Sequence, residues 1–274
     1  DPKPNLLPMA PLPEGEVVGI VGGFETYAAV VAPEQRWEIH GDDMQVLTVR
    51  LDDREKMVSE PGAMNFMHPS VSMGVNCDDC CGRWCSGEPC IMSTFTAKAP
   101  GTYVALTGNI PGKIIPVDLT AVGGKLRAKN GAFFAALGRA KVSFDFDCNP
   151  CTCCFAGQGC VHQSILGDGT AFLSAMGTIL TKDLAPGEMI VIDTNSLVAW
   201  QDSATLGIRA AGGCCTCCCG GEGLFNTTLT GPGQIYMQSM SKERFKAALA
   251  VASGSQSPPP SQGGAPPSAD EMAR

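Results

Sequence analysis

Aromatic side chains are few in this chain, with three Trp, three Tyr and 11 Phe among 274 residues. Long amphipathic helical stretches are nearly absent too, and this scarcity points to turn-rich β structure. Basic residues are outnumbered, 19 Lys and Arg against 27 Asp and Glu, and no Lys/Arg block offsets the formal charge of −8. Such a surface has no general attraction for a phosphate backbone, so nucleic acid is not an expected partner. No segment approaches the roughly 18 uncharged apolar residues that mark a membrane-spanning helix. The most apolar stretch, Val17 to Val31, is broken by Glu25 and by Gly19, Gly22 and Gly23, and it reads as strand and turn. Histidine is limited to His40, His68 and His162, which leaves little material for acid–base catalysis.

What the chain does contain is 33 Gly, 20 Pro and 15 Cys. The cysteines form three groups of five. The first is Cys77, Cys80, Cys81, Cys85 and Cys90; the second is Cys148, Cys151, Cys153, Cys154 and Cys160; the third is Cys214, Cys215, Cys217, Cys218 and Cys219. Each group holds a Cys-x-x-Cys spacing, and Cys77, Cys148 and Cys214 are separated by 71 and then 66 residues. A glycine followed by an acid or amide comes after each Cys-x-x-Cys, at Gly87-Glu88, Gly157-Gln158 and Gly221-Glu222. Strands bounded by Gly101, Gly169 and Gly233 come next. The pattern predicts one unit used three times, each copy carrying a Cys-rich loop at the same place. About an approximate threefold axis the loops would share one end of the molecule, bringing Cys80, Cys151 and Cys217 together.

Residues 1–35 read as a Pro-rich extended arm and lead-in strand, residues 36–241 as the triplicated β domain, 242–253 as a helix, and 254–274 as a Pro/Ser/Gly tail too poor in apolar residues to order itself. Between Met44 and Leu51 the alternation places Gln45, Leu47, Val49 and Leu51 on one side. Further strands are expected at Ile114–Leu119, Ala132–Ala136, Val142–Phe146, Met189–Asp193, Leu197–Trp200 and Ala204–Ile208, separated by Pro-Gly, Gly-Gly or Asn-Gly turns. The sole expected helix is Lys242–Ala252, with Ser241 as N-cap and Glu243 in its first turn.

Several of these motifs, in this order, resemble the family named for altered inheritance of mitochondria protein 24. They are Trp37-Glu38-Ile39, Asp43-Met44-Gln45-Val46-Leu47, Glu60-Pro61-Gly62-Ala63-Met64, Asp183 through Glu188, Val191 through Thr194, Leu197 through Trp200, Gly220 through Leu224 and Leu229 through Gly233. The resemblance runs from Arg36 to Ser241. It implies an all-β, tryptophan-RNA-binding-attenuator-like body, here read as a β-sandwich or double-stranded β-helix type with an internal threefold repeat and a short C-terminal helix. It also implies assembly into trimers or larger rings, a mitochondrial setting as against a cytoplasmic or peripheral-membrane one, and no established enzymatic activity. The cysteine clusters depart from the family, whose members have Gly-, Leu- and Phe-rich segments at these places.

Clustered thiols suit soft metals. Cys-x-x-Cys is a common half-site for zinc, and added Cys-Cys neighbours allow thiolates to bridge several ions, so zinc, copper(I) or an iron–sulfur cluster is a candidate with all 15 cysteines as ligands. The bland alternative is a set of disulfides stapling Gly-rich loops, with one thiol left over because 15 is odd. A third reading is S-acylation of the Cys-Cys runs, which would anchor one face to a membrane or a membrane-protein partner. Thiol redox catalysis of the thioredoxin kind needs a helix after the motif, and no helical pattern follows any cluster. The favoured function is therefore a non-enzymatic, homo-oligomeric structural or binding protein. His162, two residues after Cys160, reads as a solvent-facing strand residue more readily than as a ligand, and His40 as a turn residue. Glu88, Gln158 and Glu222 read as hairpin-turn residues before cation ligands. Trp37, Trp200 and Phe225 read as core, and Trp84 as an exposed interface aromatic.

Overall fold

From Gln45 to Leu51 alternate side chains turn inward: Gln45, Leu47, Val49 and Leu51 are buried while Arg50 is exposed. Alternation of that kind is what a strand with one covered face requires. The computed structural model describes residues 17–21, 24–27, 36–78, 80–146, 161–210 and 225–252. In chain order its elements begin with β1 (Val17–Val21), β2 (Phe24–Tyr27), β3 (Trp37–His40), β4 (Val46–Leu51), β5 (Lys56–Ser59), β6 (Met64–Met67), β7 (Val71–Asn76) and helix α1 (Cys80–Ser86). They continue with β8 (Met92–Ala97), β9 (Thr102–Thr107), β10 (Lys113–Asp118), β11 (Lys125–Ala128), β12 (Phe133–Leu137) and β13 (Ala140–Phe146). The rest are β14 (Val161–Gly167), β15 (Thr170–Leu184), β16 (Met189–Ile192), β17 (Leu197–Gln201), β18 (Thr205–Ala210), β19 (Phe225–Thr230), β20 (Gly233–Met240) and α2 (Lys242–Ala252).

The strands form sheets of 13, four and three members. Three antiparallel hairpins, β7–β8, β13–β14 and β18–β19, keep their ladders up to the last residue before the link, at Asn76↔Met92, Phe146↔Val161 and Ala210↔Phe225. The second strand of each also pairs with an earlier one: β8 with β5, β14 with β11, and β19 with β16. The strand after each hairpin is flanked on both sides, β9 by β4 and β6, the first part of β15 by β10 and β12, and β20 by the rest of β15 and by β17. The 15-residue β15 serves two neighbourhoods because it bends at Gly177, where φ is +71° and a Cβ would collide with the Ser239 hydroxyl. Only glycine fits both conditions there.

Side chains from these sheets pack into three apolar groups. One centres on Leu126, Phe133, Ile165 and Leu173, a second on Leu47, Val49, Phe95 and Phe172, and a third on Leu197, Trp200, Leu229 and Ile235. Each fully buried aliphatic or aromatic side chain contributes about 1.5–3 kcal/mol by leaving water. Trp37, half-buried, packs edge-on to Phe172 with ring centroids 5.4 Å apart. The six strands expected from the later sequence all occur, with ends displaced by at most two residues. The helix expected at Lys242–Ala252 is α2, which carries Glu243 in its first turn and lies outside the unit formed by residues up to Ser241.

A charged network ties β11 to β13, across the intervening β14, and to the turn that follows β17. Lys125 Nζ lies 2.9 Å from Asp145 and 3.4 Å from Asp202, and Arg127 bonds Asp202 through Nε. Burial pushes both carboxyls up, but the Ser164 hydroxyl, Lys125 and Arg127 at Asp145, and Arg127 with Lys125 at Asp202, more than reverse this, leaving both below the ordinary aspartate range. Groups with depressed folded-state pKa values stabilise above their unfolded pKa and lose that contribution as pH falls through the folded one. Unfolding midpoints of wild type and a D145N/D202N variant should therefore differ at pH 7 and converge below roughly pH 4. A difference that persists unchanged into acid would rule the network out as the source.

Candidate functional site

The first cysteine cluster lies in the link between β7 and β8. Asn76, the last residue of β7, accepts a hydrogen bond from the Asp78 amide at 2.8 Å through Oδ1, which turns the chain out of the sheet. Helix α1 then begins at Cys80, contrary to the expectation that no helix follows a cluster. Its end explains how this short segment holds. Gly87 sits at φ +77°, its amide donates to the Trp84 carbonyl at 3.1 Å, and the Glu88 amide donates to the Arg83 carbonyl at 2.8 Å. That pair of bonds is a Schellman closure, so Gly87-Glu88 terminates a helix and does not make the hairpin turn expected from the sequence.

Arg83 fastens the helix to the body. Its side chain is 1% exposed, its Nε donates to the Pro89 carbonyl, and its Nη2 donates to Glu60 Oε1 at 2.6 Å. The guanidinium carbon stands 6.0 Å from the centre of the Phe144 ring on β13. Helix α1 packs against β13 and β14, the hairpin whose link carries the second cluster. Asn130 adds a bond to the Ser86 carbonyl at 3.4 Å.

The five thiols of this cluster are free, with Cys77, Cys81 and Cys85 exposed and Cys80 and Cys90 half-buried. Cys90 donates to the Cys80 carbonyl at 3.8 Å. The Cys80 thiol is held above the ordinary thiol range, first by its hydrogen bond with the Cys90 side chain, then by desolvation and by the neighbouring Cys90, Cys81 and Cys77 sulfurs. Cys80 thus has its bonded partner in Cys90, ten residues on, outside the Cys77-x-x-Cys80 half-site. Among the described residues no three Cys, His, Asp or Glu side chains are grouped so as to hold a metal ion. The second and third clusters, with Cys151, Cys217, Gln158 and Glu222, lie outside the described residues.

Other expectations resolve clearly. His162 is 2% exposed, with its ring edge-on to Trp200 at 5.5 Å, which corrects its reading as a solvent-facing residue: Trp200 on the neighbouring core face draws the imidazole inward. His40 Nε2 lies 3.2 Å from Glu38, and His68 accepts from the Ser70 amide at 3.0 Å while lying edge-on to Tyr103. Trp200 is core and Trp84 is 74% exposed, as expected; the Phe225 side chain lies outside the described residues. The Arg83–Glu60 anchor was missed, although Ser86-Gly87 after an Arg-containing run carries the signal of a helix end. A cavity of about 260 Å³ was also missed; it runs beside β10, with Lys113, Asp118, Gln234 and Tyr236 among its polar wall residues.

The fold and this site define an antiparallel all-β protein whose described cysteines lie on a hairpin link outside its core. The chain belongs to the family described as mitochondrial biogenesis AIM24, which it matches over residues 37–240. It is 32% identical over 165 residues to an uncharacterized protein of Streptococcus pyogenes serotype M6, an alignment covering 60% of this chain and 64% of that protein. An X-ray structure of another Streptococcus pyogenes protein shares the fold, with a TM-score of 0.62 and 24% identity, covering 79% of this chain and 99% of that one.

Proposed function

We propose that this protein is a non-enzymatic, oligomeric binding protein whose three Cys-rich hairpin links together hold a soft metal through thiolates. The observation that carries this reading is that all three clusters occupy the same position in the strand scheme. Each spans a hairpin link, with the hairpin's second strand paired to an earlier one. The recurring pairings support one folding unit used three times, and α1 of the first link packs on β13 and β14, the strands that bracket the second cluster in the chain. Zinc, copper(I) and iron–sulfur centres all accept such ligands, and the links supply more sulfur than one tetrahedral ion needs. A trimer is the favoured assembly, because open sheet edges need covering.

Metal analysis and native mass spectrometry of protein purified without chelator test the reading together. Bound metal should be present, a strong chelator should remove it, and Cys-to-Ser replacement at Cys77, Cys80, Cys148, Cys151, Cys214 and Cys217 should abolish it while the β-sheet circular dichroism persists. Native protein that is metal-free and monomeric at micromolar concentration would overturn it. Lipid attachment is the second reading, favoured by the exposure of Trp84 and Ile91 beside Cys81, Cys85 and Cys90; an intact mass raised by one or more acyl groups would select it.

A further inference from the structure

We infer that Cys80 and Cys90 form a dedicated dithiol that exchanges with low-molecular-weight disulfides, closing a reversible staple between the start of α1 and the start of β8. The inference rests on the thiol chemistry of the first link and is independent of whether the links hold metal. The Cys90 thiol donates to the Cys80 carbonyl at 3.8 Å, which brings the two residues into contact across the ten-residue segment. Both are half-buried, whereas Cys77, Cys81 and Cys85 are exposed. With the Cys90 sulfur already against the Cys80 backbone, side-chain rotation is the movement needed to bring the two sulfurs to bonding distance.

The local frame is built before any bond forms. Cys80 opens α1 and Cys90 follows Pro89, and Arg83 binds both ends of this segment, through its place in the helix and through its Nε bond to the Pro89 carbonyl. Its buried pairing with Glu60 fixes that frame to the body. Geometry paid for in advance raises the effective concentration of one thiol at the other. The exposed cysteines are held by no comparable side-chain bond.

Glutathione disulfide serves as the oxidant. One thiol of the pair, after losing its proton, attacks a glutathione sulfur, the glutathione S–S bond breaks, and one glutathione thiolate leaves. The second protein thiol then loses its proton and attacks the mixed disulfide at the protein sulfur, releasing the second glutathione. Two protein thiols are oxidised to one disulfide, one glutathione disulfide is reduced to two glutathione thiols, and the protons pass to the leaving thiolates.

The test uses the full chain, reduced and chelator-stripped, treated with limiting glutathione disulfide, quenched by alkylation and mapped by tryptic digestion with fragmentation. Cleavage after Arg83 separates the peptide bearing Cys77, Cys80 and Cys81 from the one bearing Cys85 and Cys90. The expected product is a linked pair joined through Cys80 and Cys90, accumulating roughly tenfold ahead of any other disulfide, a modest part of what preorganised intramolecular reactions reach. Cys77→Ser should leave that preference intact, whereas Cys80→Ser or Cys90→Ser should remove it with the circular dichroism unchanged. Earlier formation of another pair, or separate glutathione adducts on Cys80 and Cys90 that never join, would overturn the inference. Repeating the reaction on metal-loaded protein keeps the two ideas distinct. A chain that binds no metal yet forms the Cys80–Cys90 bond refutes the proposed function alone, and one that binds metal through its links but never forms this bond refutes the inference alone.

Discussion

Arg83→Ala should destabilise the protein by about 3–5 kcal/mol, the usual loss when one partner of a buried ion pair is removed. The substitution leaves the Glu60 carboxylate, whose side chain is 15% exposed, without its guanidinium. It also takes away the donor to the Pro89 carbonyl and the cation beside Phe144. Replacing both partners by apolar residues of similar size, Glu60→Leu with Arg83→Met, should recover much of the loss, because no uncompensated charge then remains. Urea unfolding of Glu60→Leu, Arg83→Met and the double variant gives the coupling directly. A loss below about 1 kcal/mol for Arg83→Ala would mean that the ion pair does not hold α1 to the body, since so small a change is typical of exposed pairs.

The β class was legible because burial and pleat impose a two-residue period. Leu47, Val49 and Leu51 show it in the letters and again in the structure, and the ends of the later strands were displaced by at most two residues. Glycine and proline punctuation served equally well for the lead-in, where Gly22-Gly23 falls between β1 and β2. Helix α1 was not legible for a physical reason. A seven-residue segment is too short to display a helical period, and it is held by tertiary bonds from Arg83 and a Schellman closure at Gly87 in place of intrinsic propensity. The burial of His162 was missed because its neighbour Trp200 lies 38 residues away in sequence and meets it only through the sheet. Cys-x-x-Cys spacing likewise directed attention to Cys77 with Cys80, while the fold brings the Cys90 thiol onto the Cys80 carbonyl by turning the chain through a helix between them.

At the opposite extreme from the exposed link stands Trp200, and Trp200→Ala should cost about 3–5 kcal/mol, the range for deleting a fully buried large aromatic side chain. Trp200 is 1% exposed and packs with Leu197, Leu229 and Ile235 in the third apolar group. Its strand joins two parts of the largest sheet, because Trp200 pairs with Arg127 of β11 on one side and Ile235 of β20 on the other. The ring also covers His162, so the smaller side chain opens a cavity beside a buried imidazole. Trp200→Phe refills most of that volume and should lose markedly less. Tryptophan fluorescence reports the same event, since Trp84 is exposed and Trp37 only half-buried. Removing Trp200 should shift the folded-state emission toward the red, and unfolding should then produce a smaller spectral change than in the wild type. If Trp200→Ala unfolds within about 1 kcal/mol of the wild type, the third apolar group does not depend on this side chain, and the link between β11 and β20 rests on backbone pairing instead.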